Sequence, residues 1–468
     1  MDVFNGESAM DVQTNGSGMV TDIFTRNCEV LESELDWFYR VLDTRIRLYF
    51  GHDSEHEDIY DIDPPELASD ETPYSHMVIH YEMTFAERLV FILALVPHLK
   101  PHLLDVFFTK NATSSRDFTE FGGRNGYAFR GFLPTAETAL FILAGDDLKR
   151  RLLYTYMFES EHFFHRHNIL KLNTTGEEEP PLSGFLQISR DILELVMTGN
   201  TYHPPFGTDF PAKRLETAMD WSDLVLDSYT MAQVMEIQTW IEYGDELLYE
   251  LELIRKLKPG YRALFYGPAG TGKTLTASLL GKVTDRNVYY IDLSMVVSKY
   301  IGETEKNLEK VFQQAEHKDW ILFFDEADAL FGKRTKIGDA HDRYANQEVS
   351  YLLQRVEEYH GVIILATNLR SNMDDAFTRR FQSNIHFPMP RHQERLQIWK
   401  QGFSGKTTLA ATVDLEGIAR DYEISGGSIM NVIRYATLMA LRRGERTIYQ
   451  PDLEEGIRKE LQKEGKTT

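Results

Sequence analysis

The sequence predicts an α/β fold for the C-terminal half of the chain, with a parallel sheet followed by a helical lid, and a mostly helical N-terminal region. Three apolar runs predict buried strands of this sheet, at 261–266, 320–324 and 362–366. Each run leads directly into glycine-rich or polar residues. Because ligands bind at the carboxyl ends of parallel strands, these residues are expected to share one site.

The chain length of 468 residues exceeds what one hydrophobic core normally organises. Shifts in composition and periodicity predict four segments. They are a flexible arm at 1–20, a mostly helical N-terminal region of one or two subdomains at 21–210, a large α/β subdomain at 211–388, and a small helical subdomain with a tail at 389–468.

The composition is that of a soluble globular protein, with 42% hydrophobic and 26% charged residues. The N-terminal residues lack the pattern of a secretory signal, and the apolar run 89–96 is far shorter than the roughly 20 residues that span a bilayer. A single cysteine, Cys28, permits no intrachain disulfide. We therefore expect a cytoplasmic protein without a membrane span.

The net charge of -22 repels polyanions, and no long basic cluster offsets it. Nucleic acid is therefore a disfavoured partner. Proteins are the expected macromolecular ligands.

The first strand runs into GPAGTGKT, a glycine-rich loop that opens a helix. Glycines allow backbone amides to surround phosphate oxygens, Lys273 reaches the β- and γ-phosphates, and Thr274 is placed to bind Mg²⁺. This pattern predicts a P-loop that binds ATP with Mg²⁺. The predicted nucleotide-binding residues of the loop are Gly267, Pro268, Ala269, Gly270, Thr271, Gly272, Lys273, Thr274 and Leu275.

Acidic and amide side chains follow the other two strands. Asp325 is predicted to hold the Mg²⁺ shell, and Glu326 to polarise the water that attacks the γ-phosphate. Asp328 is predicted to have a capping or supporting role. Asn368, after the third strand, is predicted to orient the same water.

These three strand-end motifs together resemble the AAA+ family of P-loop ATPases, from about Lys213 to the C-terminus. Within that family, MDDAFTRRFQ resembles the arginine-finger segment of the spastin and katanin type. The resemblance implies that Arg379 and Arg380 act at the nucleotide of a neighbouring subunit. A finger that acts in trans requires an assembly, so the resemblance also implies a homo-oligomer. The family resemblance suggests that this assembly is a hexamer.

Between the first two motifs, SKYIGETEKNLEKVF resembles the first pore loop of the family. Tyr300, Ile301 and Gly302 match its aromatic-hydrophobic-glycine pattern, which implies that they grip a polypeptide substrate. A packed loop with Tyr300 in a core is the alternative. The insertion FGKRTKIGDAHDRYANQEV suggests a second, charged pore loop around His341–Arg343.

Two further segments resemble nucleotide-contacting parts of the family. Asp223, Leu224 and Val225 lie in the segment whose backbone contacts adenine. The stretch from 425 to 428 resembles the sensor 2 region of the lid, which implies that Gly427 and Ser428 contact nucleotide. Met430 departs from the family, because an arginine often stands there, so direct phosphate sensing by the lid is in doubt.

The leading hypothesis is an ATPase that remodels, threads or disassembles a protein partner. The overall likeness further resembles stand-alone bacterial AAA+ ATPases of phage-tail-like contractile injection systems. A nucleic-acid-associated ATPase of the helicase or clamp-loader type is one alternative. An ATP-dependent assembly switch is another.

Two other patterns are given structural interpretations. The histidines His162, His165 and His167, with Glu161, match no metal-ligand spacing, so they are expected to be ordinary helix-face residues. The stretch FGGRNGYAFRGFLPT lacks the Lys-Ser/Thr ending of a phosphate loop, so a turn is expected there.

Overall fold

The computed structural model describes residues 17–67, 72–112, 115–125, 129–173, 179–208, 210–296, 303–316, 318–328, 340–368, 378–463 and 465. The chain divides into two compact units, at residues 1–203 and 204–468. The sequence-based boundary between the same regions stands at 210.

The described part of the N-terminal unit is mostly helical and has two small antiparallel sheets, β1 with β2 and β3 with β4. Its helices are α1 Ser17–Tyr49, α2 Pro73–His80, α3 Phe85–Leu99, α4 Ala136–Ala144, α5 Leu148–Tyr154, α6 Phe163–Arg166 and α7 Arg190–Thr198. Its strands are β1 Arg124–Asn125, β2 Phe132–Leu133, β3 Leu170–Asn173 and β4 Phe185–Ile188.

Helix α1 begins at Ser17, within the segment predicted to be a flexible arm. The apolar residues Met19, Val20, Ile23 and Phe24 extend the helical pattern N-terminally, which accounts for the earlier start. The arm prediction otherwise falls on residues 1–16, outside the described part of the chain.

Helix α3 is the centre of the N-terminal core. It begins with a capping box, in which Thr84 and Glu87 satisfy each other's backbone amides. All its residues from Ala86 to Val96 are buried, so the apolar run 89–96 lies in a core helix. No single described helix is long and apolar enough to cross a bilayer; α3 and the 3₁₀ helix Pro101–Phe108 pass such a test together, but with a bend of 101° between them.

A buried ion pair joins α1 to α3. Glu34 is fully buried, and its carboxylate accepts hydrogen bonds from Arg88 Nε at 3.0 Å and from the Tyr74 hydroxyl at 2.8 Å. Arg88 also donates to the Pro65 carbonyl at 2.8 Å. A buried charge is tolerated only when paired in this way.

The C-terminal unit combines a six-stranded sheet with helices. Its helices are α8 Ser228–Asp245, α9 Lys273–Val283, α10 Leu293–Val296, α11 Glu303–Ala315, α12 Ala340–Glu358, α13 His392–Gly402, α14 Leu415–Asp421, α15 Gly426–Arg442 and α16 Gln450–Lys463. Its strands are β5 Lys213–Leu215, β6 Tyr261–Tyr266, β7 Val288–Asp292, β8 Ile321–Asp325, β9 Val362–Thr367, β10 Ser383–His386, β11 Thr408–Leu409 and β12 Thr447–Ile448.

The sheet order is β10-β6-β9-β8-β7-β5. All pairs are parallel except β5 with β7, which is antiparallel at the sheet edge. Strands β6, β8 and β9 are the three predicted from apolar runs, and nearly all their residues are buried because the sheet is covered on both faces. The predicted α/β fold is confirmed.

Helices α13 to α16 form the lid, which has a core of its own. Trp399, Ile429, Val432 and Leu453 are fully buried within it. This separate core fits a subdomain that packs beside the sheet rather than extending it.

We predict that Glu34→Ala destabilises the N-terminal unit by about 3 kcal/mol, because it leaves the buried Arg88 without its carboxylate partner. Asp43→Ala removes an exposed partner of Arg47 from the same helix, where the two side chains lie 2.6 Å apart, and should cost less than about 1 kcal/mol. Hydrogen exchange of the α3 amides measures both values. Equal losses in the two variants would contradict the structural role of the buried pair.

Candidate active site

The loop between β6 and α9 has a backbone that only glycine adopts without strain. Gly267, Gly270 and Gly272 have φ values of 147°, 75° and 103°. A Cβ added at Gly267 would lie 2.0 Å from the Phe387 carbonyl oxygen. The loop is therefore held close to the sheet edge, with α9 starting at Lys273.

The Lys273 side chain is buried at the start of α9. Its ammonium group donates to the carbonyl oxygens of Gly267 at 2.7 Å and Pro268 at 2.9 Å, and to Asn368 Oδ1 at 3.0 Å. Burial lowers the pKa of Lys273, and the carboxylates of Asp325 and Asp328 oppose this shift. The ammonium thus joins the first and third strand-end motifs directly.

Strand β8 ends at Asp325, and the backbone reverses at the next residue. Glu326 has a φ of 53°, which is uncommon for a residue with a side chain, and its amide donates to Asp325 Oδ1 at 2.9 Å. Burial raises the pKa of Asp325; the nearby Glu326 and Asp292 carboxylates add to the shift, whereas the Glu326 amide and Lys273 oppose it. Glu326 itself is exposed.

The residues beside this turn hold β8 and β9 together at their ends. The Ala327 amide donates to the Ala366 carbonyl at 3.0 Å, and the Thr367 hydroxyl donates to Asp328 Oδ1 at 3.1 Å. Asp328 therefore supports the strand ends, and Asn368 follows immediately at the same edge.

A cavity of about 530 Å³ lies between this sheet edge and the lid. It brings together all three strand-end motifs and the segment before α8. Among the predicted site residues, those lining it are Asp223, Leu224, Val225, Ala269, Gly270, Thr271, Gly272, Lys273, Thr274, Leu275, Asp325, Glu326, Asn368 and Gly427. Gly267, Pro268 and Ser428 do not line it, although the Gly267 and Pro268 carbonyls hold Lys273.

The lid contacts the loop through its backbone. The Gly427 amide donates to the Gly270 carbonyl at 2.9 Å, and a Cβ added at Gly427 would lie 3.1 Å from Gly270 Cα. Ser425 caps α15 by accepting from the Ser428 amide at 3.2 Å. Ser428 thus serves the helix start, and Met430 lines the cavity one turn further on.

Sequence reasoning missed the lid-side wall of the cavity. Three missed lining residues, Met219, Leu226 and Asp227, precede α8. The others lie after β10 or in the lid: Pro388, Pro390, Glu394, Ile398, Gln401, Gly402, Gly426 and Met430, the last of which was considered only as a departure from the family. Pro388 and Pro390 follow β10, so the strand-end rule applied to a fourth strand would have found them. Gln401 also ties the lid to the segment before α8, since its amide donates to the Ser222 carbonyl at 3.1 Å.

Arg379 and Arg380 lie outside this cavity. Both are exposed, just before β10 at the sheet edge, and Arg380 forms an ion pair with Glu357 at the end of α12. Within one subunit, the structure therefore does not bring either arginine to the cavity.

The predicted pore-loop residues Tyr300, Ile301 and Gly302 lie outside the described residues. Helix α12 includes His341–Arg343, but its described side chains begin later, so the second pore-loop prediction also remains a prediction.

The described residues contain no cluster of three or more metal-ligating side chains. His162 is buried, and its Nε2 lies 2.9 Å from Glu87 Oε1, while its Nδ1 accepts from the Phe164 amide at 3.2 Å. It caps α6 and pairs with α3, where sequence reasoning expected an ordinary helix-face residue. The local sequence around His162 could not predict this pairing, because Glu87 lies 75 residues earlier in the chain.

Residues 263–389 match the AAA family, described as the ATPase family associated with various cellular activities. A similar protein is the 26S proteasome regulatory subunit S10B homolog B of Arabidopsis thaliana, 32% identical over 218 residues, which cover 45% of this chain and 54% of the relative. The proteasome-activating nucleotidase of Aeropyrum pernix is 34% identical over 211 residues, with coverages of 43% and 51%.

The cell division cycle protein 48 homolog of Archaeoglobus fulgidus is 32% identical over 229 residues, which cover 47% of this chain and 30% of the relative. The chain thus spans about half, or less, of the length of these relatives. The matched segment 263–389 includes the loop, both carboxylates and Asn368. The segment before α8 and nearly all of the lid residues that line the cavity lie outside it. Residues 263–389 are thus similar to the AAA family over the part of the chain that contains the phosphate loop and the strand-end carboxylates.

Proposed function

We propose that this chain hydrolyses ATP to ADP and phosphate and uses the energy to remodel a protein partner. The cavity carries the proposal, because it places Lys273, Thr274, Asp325, Glu326 and Asn368 around one space at the end of the sheet. Lys273 is suited to phosphate binding and Thr274 with Asp325 to cation binding. Glu326 and Asn368 are suited to water activation.

Phosphate binding follows from the loop geometry. The loop ends at the N-terminus of α9, where unpaired backbone amides and the helix dipole favour anions. Lys273 already lies in the loop, with its charge satisfied by carbonyl and amide oxygens. A phosphate oxygen would be a stronger partner for the ammonium than the neutral Asn368 amide, so binding would release Asn368.

The residues fit Mg²⁺. Thr274 and Asp325 both line the cavity, and oxygen ligands from one carboxylate, one hydroxyl and the substrate's phosphates suit this ion. The raised pKa of Asp325 reflects a buried carboxylate with Glu326 and Asp292 nearby, an environment that a cation stabilises. When bound, Mg²⁺ would neutralise charge on the phosphates.

We propose Glu326 as the base. Glu326 is exposed, and it lines the cavity together with Asn368. It would accept a proton from the water whose oxygen attacks the γ-phosphorus, as the bond from that phosphorus to the β-bridging oxygen breaks. The Asn368 amide would orient the same water.

We further propose that Arg379 and Arg380 complete the site of a neighbouring copy. Both are exposed and absent from their own cavity, as a finger that acts in trans requires. Such an arrangement repeats head to tail and closes into a ring, for which the family resemblance suggests a hexamer. A cationic finger supplies a large part of phosphoryl-transfer rates.

A protein substrate fits this chain better than nucleic acid. The net charge of -22 opposes polyanions. Two of the similar proteins are named as a regulatory subunit and an activating nucleotidase of the proteasome. Among protein substrates, the sheath and tube of contractile injection systems are the first to test, because of the resemblance to the ATPases of those systems.

Two alternative functions make different predictions. A basic groove would favour a nucleic-acid-associated ATPase of the helicase or clamp-loader type. Slow turnover would favour an ATP-dependent assembly switch.

We predict that Glu326→Gln lowers the rate of ATP hydrolysis at least 100-fold, since a general base contributes about 10² to 10⁴ in rate. Affinity for ATP should change by no more than about three-fold, because Lys273 and the loop are intact. Steady-state turnover and nucleotide titration measure the two effects. Glu316→Gln, an exposed control on the same unit, should match the parent; equal turnover in Glu326→Gln and the parent would remove the base assignment.

A mixture of two inactive variants tests whether sites are shared. The Arg379→Ala, Arg380→Ala double variant and Glu326→Gln should each be nearly inactive alone. Random equimolar mixing should restore about a quarter of the sites, those with an intact Glu326 and an intact neighbouring finger. Turnover is measured on the mixture under conditions in which both variants co-assemble. Co-assembly without any recovery would contradict fingers in trans.

Replacement of Tyr300 by Ala tests the work that hydrolysis drives. Because an aromatic side chain grips polypeptides without sequence reading, Tyr300→Ala should abolish ATP-dependent unfolding of a fluorescent reporter protein with an unstructured tail. ATP hydrolysis without substrate should stay within about three-fold, and Tyr300→Phe should retain unfolding. Undiminished unfolding by Tyr300→Ala would remove the gripping role.

A further inference from the structure

Helix α5 in the N-terminal unit has its polar and apolar faces reversed. It consists of LKRRLLY, and none of its seven residues is buried, although helices of globular proteins normally turn their leucines towards the core. Here Arg150 and Arg151 make the contacts with the unit, whereas Lys149 is exposed. The leucines face solvent.

The inner face of α5 is polar. Arg150 Nη1 donates to Asp58 Oδ2 at 2.6 Å, and its guanidinium lies 5.0 Å from the centre of the Tyr60 ring. Arg151 forms an ion pair with Glu137 of α4. The Tyr60 hydroxyl donates to the Tyr154 hydroxyl at 2.8 Å. These contacts fix the rotation of the helix about its axis.

The outer face consequently presents three leucines. Leu148, Leu152 and Leu153 are 66%, 64% and 64% exposed. At 100° per residue they lie on one side of the helix, opposite Arg150 and Arg151, and the exposed Lys149 lies between Leu152 and Leu153 on that side. Exposed apolar residues are common singly, but three on one helical face are of the kind that marks a binding surface.

The charge around this patch is negative. Residues 1–203 contain 33 acidic and 16 basic side chains, a net charge of -17 within the chain total of -22. Asp146 and Asp147 precede the helix and Glu159 and Glu161 follow it, and all four are exposed. Arg150 offsets Asp147, whose Oδ2 lies 3.6 Å from Arg150 Nε. The exposed Lys149 adds one positive charge, so Asp146, Glu159 and Glu161 keep the surroundings of the helix acidic.

We propose that the outer face of α5 is a docking surface for a basic amphipathic segment of another protein. The leucines would bury the partner's apolar side chains, and the flanking carboxylates would attract its Lys and Arg side chains. Another copy of this unit would bring a second charge of -17 against the first, which disfavours self-association through this face. The surface lies in the N-terminal unit, so the inference does not depend on ATP hydrolysis.

The test is peptide binding by the full chain without nucleotide. The probe is a fluorescent 18-residue peptide of Leu and Lys at helical spacing, and its control is the same composition in an order with no apolar face. Fluorescence anisotropy should give at least ten-fold tighter binding of the amphipathic peptide. In Leu152→Gln, Leu153→Gln this preference should vanish. The control Leu438→Gln, Leu441→Gln, which changes two leucines with 54% and 57% exposure on α15, should bind within two-fold of the parent.

Several outcomes would overturn the proposal. Equal affinity for the two peptides would mean that charge alone drives the binding. Absence of binding would mean that this face does not bind such a segment. Unchanged preference in the α5 variant would assign the binding to another surface. Concentration-dependent self-association that disappears in the α5 variant would identify a second copy as the occupant. A lowered melting temperature of that variant would show that its leucines are already covered by the chain itself.

Discussion

A buried ammonium group organises the end of the sheet that carries the candidate active site. Lys273 cannot be buried without partners, and it finds them in the Gly267 and Pro268 carbonyls and in Asn368. These acceptors come from the ends of two neighbouring strands, β6 and β9, which pair in parallel up to Tyr266 and Thr367. The loop, the sheet edge and the site are thus fixed by one charge and its need for oxygen ligands.

The lid rests on the same loop. Since Gly427 donates to Gly270 and neither position has space for a larger residue without displacement, the lid is placed by backbone contact. Met430, at the position where the family resemblance implies an arginine, adds an apolar side chain to the cavity wall. In our account, any rearrangement of the loop on phosphate binding reaches the lid through this contact, without a charged side chain. This gives the lid a route to respond to nucleotide despite Met430.

The strands and the phosphate loop could be predicted because their signals are local. Strand β8, for example, is a short apolar run covered on both faces, and Asp325 follows it at once. The lid wall at Gln401 and Gly402 depends on how a separate core packs, which no local pattern encodes. Helix α5 shows the same limit: LKRRLLY suggests inward leucines, yet Asp58 and Glu137, distant in sequence, turn the arginines inward.

The central claim is that Lys273 exchanges its internal oxygen partners for a nucleotide phosphate, and its direct test is the ATP affinity of Lys273→Ala by calorimetric titration. Loss of a buried, charge-assisted contact should weaken binding at least about 100-fold. Lys256→Ala, which removes an exposed charge before β6, should leave affinity within about two-fold. Parental affinity in Lys273→Ala would contradict the account.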